Sequence, residues 1–188
     1  LKRLEHRGYD SAGVAVLPAD GVLAVRKRVG RLANLEEALE ANPIAGGLGI
    51  GHTRWATHGE PSELNSHPHL DGSGTIAVVH NGIIENYLSL RAELEAQGHV
   101  FKSQTDTEVI PHLIEEIRKG GGKTPAAAIR EALKRAQGAY ALGIVFRDEP
   151  GVFYAARCGS PLIIGVGEGE QYIASDVPAI LNRVKRVI

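Results

Sequence analysis

Four polar clusters hold the side chains that could do chemistry in this sequence: residues 5–13 (EHRGYDSAG), 51–61 (GHTRWATHGEP), 80–86 (HNGIIEN) and 103–108 (SQTDTE). Each falls at a strand end or a turn, where function concentrates. Arg54 follows an apolar strand pattern and precedes Trp55, the only tryptophan. An arginine held there can clamp a carboxylate with two parallel hydrogen bonds; it can equally be a solvated surface residue. Asn81-Gly82 ends another strand pattern. An asparagine amide and a glycine N–H that converge on one point build an oxyanion hole, although the same dipeptide is also an ordinary turn. Asp106 follows Thr105 where a helix pattern begins. That is an N-cap position, and it is also a place from which a carboxylate can meet a ligand amine.

Five histidines, His52, His58, His67, His69 and His80, lie within one stretch. They lack His-Glu-x-x-His spacing and have no cysteine nearby, so no metal site is expected among them. Gly122-Lys123-Thr124 resembles the end of a phosphate loop, but the first glycine of that motif is Ile117 here and no strand pattern precedes it. Cys158 is the single cysteine and reads as a small, half-buried hydrophobe.

These residues need elements to hold them. The spacing predicts a hairpin from 12–17 and 21–28 around the turn Pro18-Ala19-Asp20-Gly21, a helix over 32–41, and strands over 47–53 and 75–80. Helices follow over 84–97, stopped by Gly98, and over 106–119. A third runs over 126–136, with Thr124 as N-cap and Pro125 at its first position. Strands return over 140–146, 152–156, 162–166 and 172–175. Helices grouped between strands argue against βαβ units and for an α+β layered fold with antiparallel sheets.

The chain has 188 residues, 43% hydrophobic and 23% charged, which suits one globular domain spanning 1–188. With 21 basic and 22 acidic residues the net charge is −1, so there is no electrostatic footprint for nucleic acid or an anionic membrane. No apolar run has the length of a membrane span. One cysteine forms no internal disulfide, which favours a reducing compartment and a cytoplasmic location.

Taken together and in order, Arg7-Gly8-Tyr9-Asp10-Ser11-Ala12-Gly13, 52–59, His67-Pro68-His69, 80–86 and Thr105-Asp106-Thr107-Glu108 resemble the glutaminase domain of class II glutamine amidotransferases. The segment 53–59 (TRWATHG) points to the branch that aminates fructose 6-phosphate, whose acceptor sits in a separate sugar isomerase domain. The resemblance implies an N-terminal nucleophile hydrolase fold: an αββα sandwich of two antiparallel sheets between helix layers. It implies glutamine as ligand, no cofactor and a homodimeric parent enzyme. It implies that Asn81 and Gly82 form the oxyanion hole and that Arg7 and Gly8 position the nucleophile. Arg54 would pair with the glutamine carboxylate and Asp106 with its ammonium, while Trp55, Thr57 and His58 would lie on a loop closing over the ligand. In the family a cysteine at the mature N-terminus attacks the amide, with its own amine as base. Leu1 stands beyond that cysteine and the first strand, so the domain is expected to be incomplete at both ends and these residues alone to be inactive. Two other readings stand beside this one: the glutaminase of another class II enzyme, such as amidophosphoribosyltransferase, and a non-catalytic glutamine-binding module.

Overall fold

The structure is a computed structural model that describes residues 1–19, 21–56 and 59–188. A 3₁₀ helix, Lys2–Arg7, precedes the hairpin of β1 (Ser11–Leu17) and β2 (Ala24–Val29). Then come α1 (Leu32–Ala41), β3 (Leu48–Arg54), the short β4 (His69–Leu70) and β5 (Ile76–Gly82). Three consecutive helices follow: α2 (Tyr87–Ala96), α3 (Val109–Lys119) and α4 (Pro125–Arg135). The chain closes with β6 (Tyr140–Phe146), β7 (Phe153–Cys158), β8 (Ile163–Val166), β9 (Gln171–Ala174) and β10 (Arg186–Val187). The strands pair in the orders β2-β1-β3, β4-β5-β6-β7 and β10-β8-β9, each ladder antiparallel.

Strand alternation separates the layers. Ile76 and Val78 of β5, with Leu142, Ile144 and Phe146 of β6, face the apolar stripes of α2, α3 and α4. Ala77 and Val145, on the opposite face of the same sheet, pack against Ala15 and Ile50 of the first sheet. Ala12 and Val14 on the outer face of β1 meet Leu32, Leu35 and Leu39 of α1. The order of layers is thus α1, sheet, sheet, α2–α4, the expected αββα sandwich. All seven residues of β6 are buried, because that strand has a layer on each face and a strand on each side.

Local chemistry sets several boundaries. Thr124 Oγ1 accepts from Ala127 N at 3.3 Å and Pro125 opens α4, as expected. Gly98 follows α2 at φ 91°, a conformation that favours glycine. The helices α2 and α3 each begin three residues later than the apolar spacing predicts. After β5 the chain first runs as a ladder against the loop before β6, with Ile83 N donating to Ala139 O at 2.9 Å and Glu85 N to Gln137 O at 2.9 Å. Ahead of α3, Glu108 turns back to accept from Lys102 N at 2.9 Å and Ser103 N at 2.7 Å.

β3 and β9 lie at the ends of their sheets, and both line one cavity of about 1270 Å³. Among the described residues no helix is long and apolar enough to cross a membrane.

Candidate active site

Asn81 and Gly82 are the last two residues of β5 and pair with Ala141 and Tyr140. They continue a strand and do not make a hairpin turn. His80 and Asn81 point to opposite faces of the sheet, so His80 reaches the helix layer and Asn81 the space between the sheets. There Asn81 Oδ1 lies 3.0 Å from Nε2 of His52 on β3. Burial, its largest cause, pushes the His52 pKa down to about 4, so the ring is neutral at pH 7. A neutral ring that meets an amide oxygen through Nε2 carries its proton there; Nδ1 is buried with no partner. The amide orientation is therefore set, and the Asn81 NH₂ is turned away from His52 as a donor. Gly82 stands at φ 127°, and a Cβ there would come within 2.0 Å of Ala139 O. Only glycine fits.

β3 brings Ile50, His52 and Arg54 to one face by the same alternation. Arg54 is buried, not a solvated surface residue. Its guanidinium donates to Gly59 O at 3.0 Å and to Glu60 O at 3.5 Å, tying the next loop to the strand. Burial lowers its pKa, and the charges of Asp10 and Asp106 oppose the shift, so both carboxylates act on this cation. Asp10 also accepts from Ala56 N at 2.7 Å, and its own N–H donates to Arg54 O at 3.1 Å.

Asp106 is buried and does not cap α3, contrary to that expectation. Its Oδ2 accepts from Ile84 N at 2.7 Å and lies 3.9 Å from His80 Nδ1, which also contacts Thr107 Oγ1 at 2.9 Å. The carboxylate thus holds the segment that leaves Asn81-Gly82, while Oδ1 makes none of these contacts. Gly8 is buried, and a Cβ there would meet the Arg54 carbonyl carbon at 2.7 Å. Arg7 is exposed, 3.5 Å from Ser175 Oγ and 3.7 Å from Asp176 Oδ2. Trp55 is exposed, edge-on to Tyr9 at 5.2 Å between centroids. Thr57 and His58 lie outside the described residues. Cys158 is exposed at the end of β7, not half-buried as its residue type suggested, because β7 is the edge strand of its sheet. The large cavity takes in Arg7, His52 and Asn81; Arg54, Asp106 and Gly82 do not line it.

Composition and spacing did not reveal the supporting residues. Asp10 and His52 sit inside the polar clusters, but only the packing of β1, β3 and β5 shows which atoms they hold. His67 lies against His52 with a tilted ring at 4.2 Å between centroids and meets His69 edge-on at 4.8 Å. Burial drives the His67 pKa well below its ordinary value and that of His69 to about 3, and the Lys27 charge adds to both shifts. Their folded pKa values lie below the unfolded 6.5, so as pH falls the unfolded chain takes up protons that the folded chain refuses. Stability rises with pH between about 4 and 6.5, by about 1.4 kcal/mol per unit for each such histidine. Calorimetry is expected to show the Tm falling between pH 7 and 5; a flat Tm would mean these rings are solvated.

A sequence profile described as a glutamine amidotransferase domain matches residues 52–182. The chain belongs to the glutamine amidotransferase family. This amidotransferase domain is 58% identical over 187 residues to the glutamine–fructose-6-phosphate aminotransferase (isomerizing) of Clostridium perfringens (strain 13 / Type A), covering 100% of this chain and 30% of that protein. The chain therefore spans about a third of the length of the curated relatives it matches. Among solved structures, the glutamine phosphoribosylpyrophosphate amidotransferase from B. subtilis, complexed with ADP and GMP, has a TM-score of 0.80 at 30% identity, covering 97% of this chain and 40% of that one. The allosteric regulatory enzyme of purine biosynthesis gives 0.82 at 28% identity, with 99% and 40% covered. The layers of the amidotransferase domain are those of the N-terminal nucleophile hydrolase fold.

Proposed function

We propose that residues 1–188 form one glutaminase domain, which binds glutamine and supports release of its amide nitrogen for transfer to fructose 6-phosphate. The observation that carries this reading is the Asn81 amide, locked by His52 with its NH₂ free to donate and followed by the Gly82 backbone N–H. When a nucleophile adds to the side-chain amide of glutamine, the carbonyl oxygen gains negative charge, and donors already in place lower that barrier. Arg54 and Asp106 are opposite charges within electrostatic reach of each other, as the two ends of a free amino acid require. A ligand lacking either end would forgo one charge-assisted contact with a buried group. Arg7 and Gly8 position the nucleophile, and Trp55 belongs to the loop over the ligand. The acceptor is inferred from the 58% identity to the Clostridium perfringens aminotransferase, against 30% to the phosphoribosylpyrophosphate enzyme. The parent enzyme would act as a cytoplasmic homodimer with fructose 6-phosphate bound in an isomerase domain.

The test is an assay of the full-length protein for glucosamine 6-phosphate from glutamine and fructose 6-phosphate. Turnover only with phosphoribosyl pyrophosphate would overturn the acceptor, and tight glutamine binding without any turnover would favour a sensing module. In calorimetry, Arg54→Ala is expected to weaken glutamine binding by a factor of about 100 or more, as for loss of a buried charge partner. Unchanged binding would remove Arg54 from the carboxylate role.

A further inference from the structure

A second constellation lies along the first two turns of α3. His112 and Glu115 are three residues apart on α3 and so share a face. His99, just after Gly98, comes against them from the end of α2. His99 Nδ1 is 3.0 Å from His112 Nδ1 and 3.4 Å from Glu115 Oε2, and His112 Nδ1 is 3.6 Å from the same oxygen. Both rings are buried. Four ligands at tetrahedral zinc bond lengths stand about 3.3 Å from one another, so the triangle has the size of one face of that polyhedron.

A carboxylate stands beyond the far nitrogen of each ring, at hydrogen-bond distance for His99, where Lys119 Nζ also lies 3.1 Å from Nε2, and at ion-pair distance for His112. His99 Nε2 is 2.7 Å from Glu116 Oε2, and His112 Nε2 is 3.7 Å from Glu108 Oε1. A ring that donates from Nε2 to a carboxylate turns an Nδ1 lone pair toward the centre. Two such lone pairs 3.0 Å apart, with a carboxylate oxygen beside them, repel unless a cation or a shared proton lies between. Glu115 is fixed independently of the rings: its Oε2 accepts from Gly72 N and its Oε1 from Ser73 N, each at 3.1 Å. Lys119 Nζ lies 3.1 Å from His99 Nε2 and 2.6 Å from Glu116 Oε2, and Lys27 acts on Glu108 from the other side.

We propose that His99, His112 and Glu115 form a binding site for one divalent transition-metal ion of the zinc type. Water takes its fourth position, and the ion braces the residue-99 loop against α3. The alternative is a metal-free pair sharing one proton as Nδ1–H···Nδ1, and the experiment separates the two. The full chain, made without a polyhistidine tag and stripped with chelator, is titrated with Zn²⁺ against a chromophoric competitor and separately with Co²⁺. One equivalent is expected to bind, and Co²⁺ to give the intense visible bands of a four-coordinate ion. Glu116→Gln replaces none of the three proposed ligands and keeps an acceptor for His99 Nε2, so the metal-free protein should stay folded with a small drop in Tm from the lost Lys119 pair, while affinity falls by a factor of about 10 to 100. Glu115→Gln and His112→Gln are expected to lose more than that. Absence of stoichiometric binding, or wild-type affinity in either of the last two variants, would overturn the proposal in favour of the shared proton.

Discussion

Asn81→Ala in the full-length protein is expected to lower the kcat for glutamine hydrolysis by roughly a hundred- to a thousandfold, the usual cost of one oxyanion donor. The KM for glutamine should change little. The amide NH₂ acts on charge that exists only in the transition state, whereas the groups proposed to hold the substrate, Arg54 and Asp106, are untouched. Truncation also leaves His52 Nε2–H without its acceptor 3.0 Å away, so a stability loss of about 1 kcal/mol accompanies the kinetic one. His52→Gln should fall between wild type and Asn81→Ala, because the amide keeps its donors but loses what fixes their direction. A rise in KM with kcat unchanged would show that Asn81 serves ground-state binding, and the oxyanion assignment would be lost.

Gly82→Ala carries the largest expected effect on stability, a loss of about 3 kcal/mol or more from positive-φ strain combined with overpacking. The atom that a Cβ would meet at 2.0 Å is the carbonyl oxygen of Ala139, and the next two, at 2.9 Å, are also backbone. No flexible side chain can give way, so either β5 parts from β6 or the peptide rotates. Gly74 is the control. It too has positive φ, at 69°, but nothing lies within 4 Å of its absent Cβ, so Gly74→Ala should cost only about 1 kcal/mol. Denaturant midpoints compare the two directly; equal losses would mean that conformation alone, and not the close approach to Ala139, makes Gly82 necessary.

The layers of the fold were legible because their signals are local. The run 140–146 reads as a strand, as the structure has it, and Thr124-Pro125 marks a helix start within a residue. What escaped was set by long-range partners. Asp106 has the sequence context of a cap, yet its Oδ2 accepts from Ile84 N, 22 positions away. The same bond helps hold residues 84–86 out of the helix that their spacing suggests. His52 reads as one histidine among five until β3 is laid over β5. His99 and His112 stand 13 residues apart on different elements, a separation with no pattern to detect. The candidate site residues stand out by type and motif, whereas the partners that orient them carry no such signal.

The alternation of β5 has one further consequence. Its even-numbered residues, Ile76, Val78 and His80, face the helices, and its odd-numbered ones, Ala77, Val79 and Asn81, face the other sheet. Placement of the amide donor is thus encoded by parity. A single-residue insertion or deletion in the turn at 71–75 that slid β5 by one place would preserve composition and secondary structure yet exchange the two faces. His80 would then stand against His52, and Asn81 would be buried beneath α3. The domain tolerates no frame error of one in this strand, whereas a slip of two would at least return each residue to its own side.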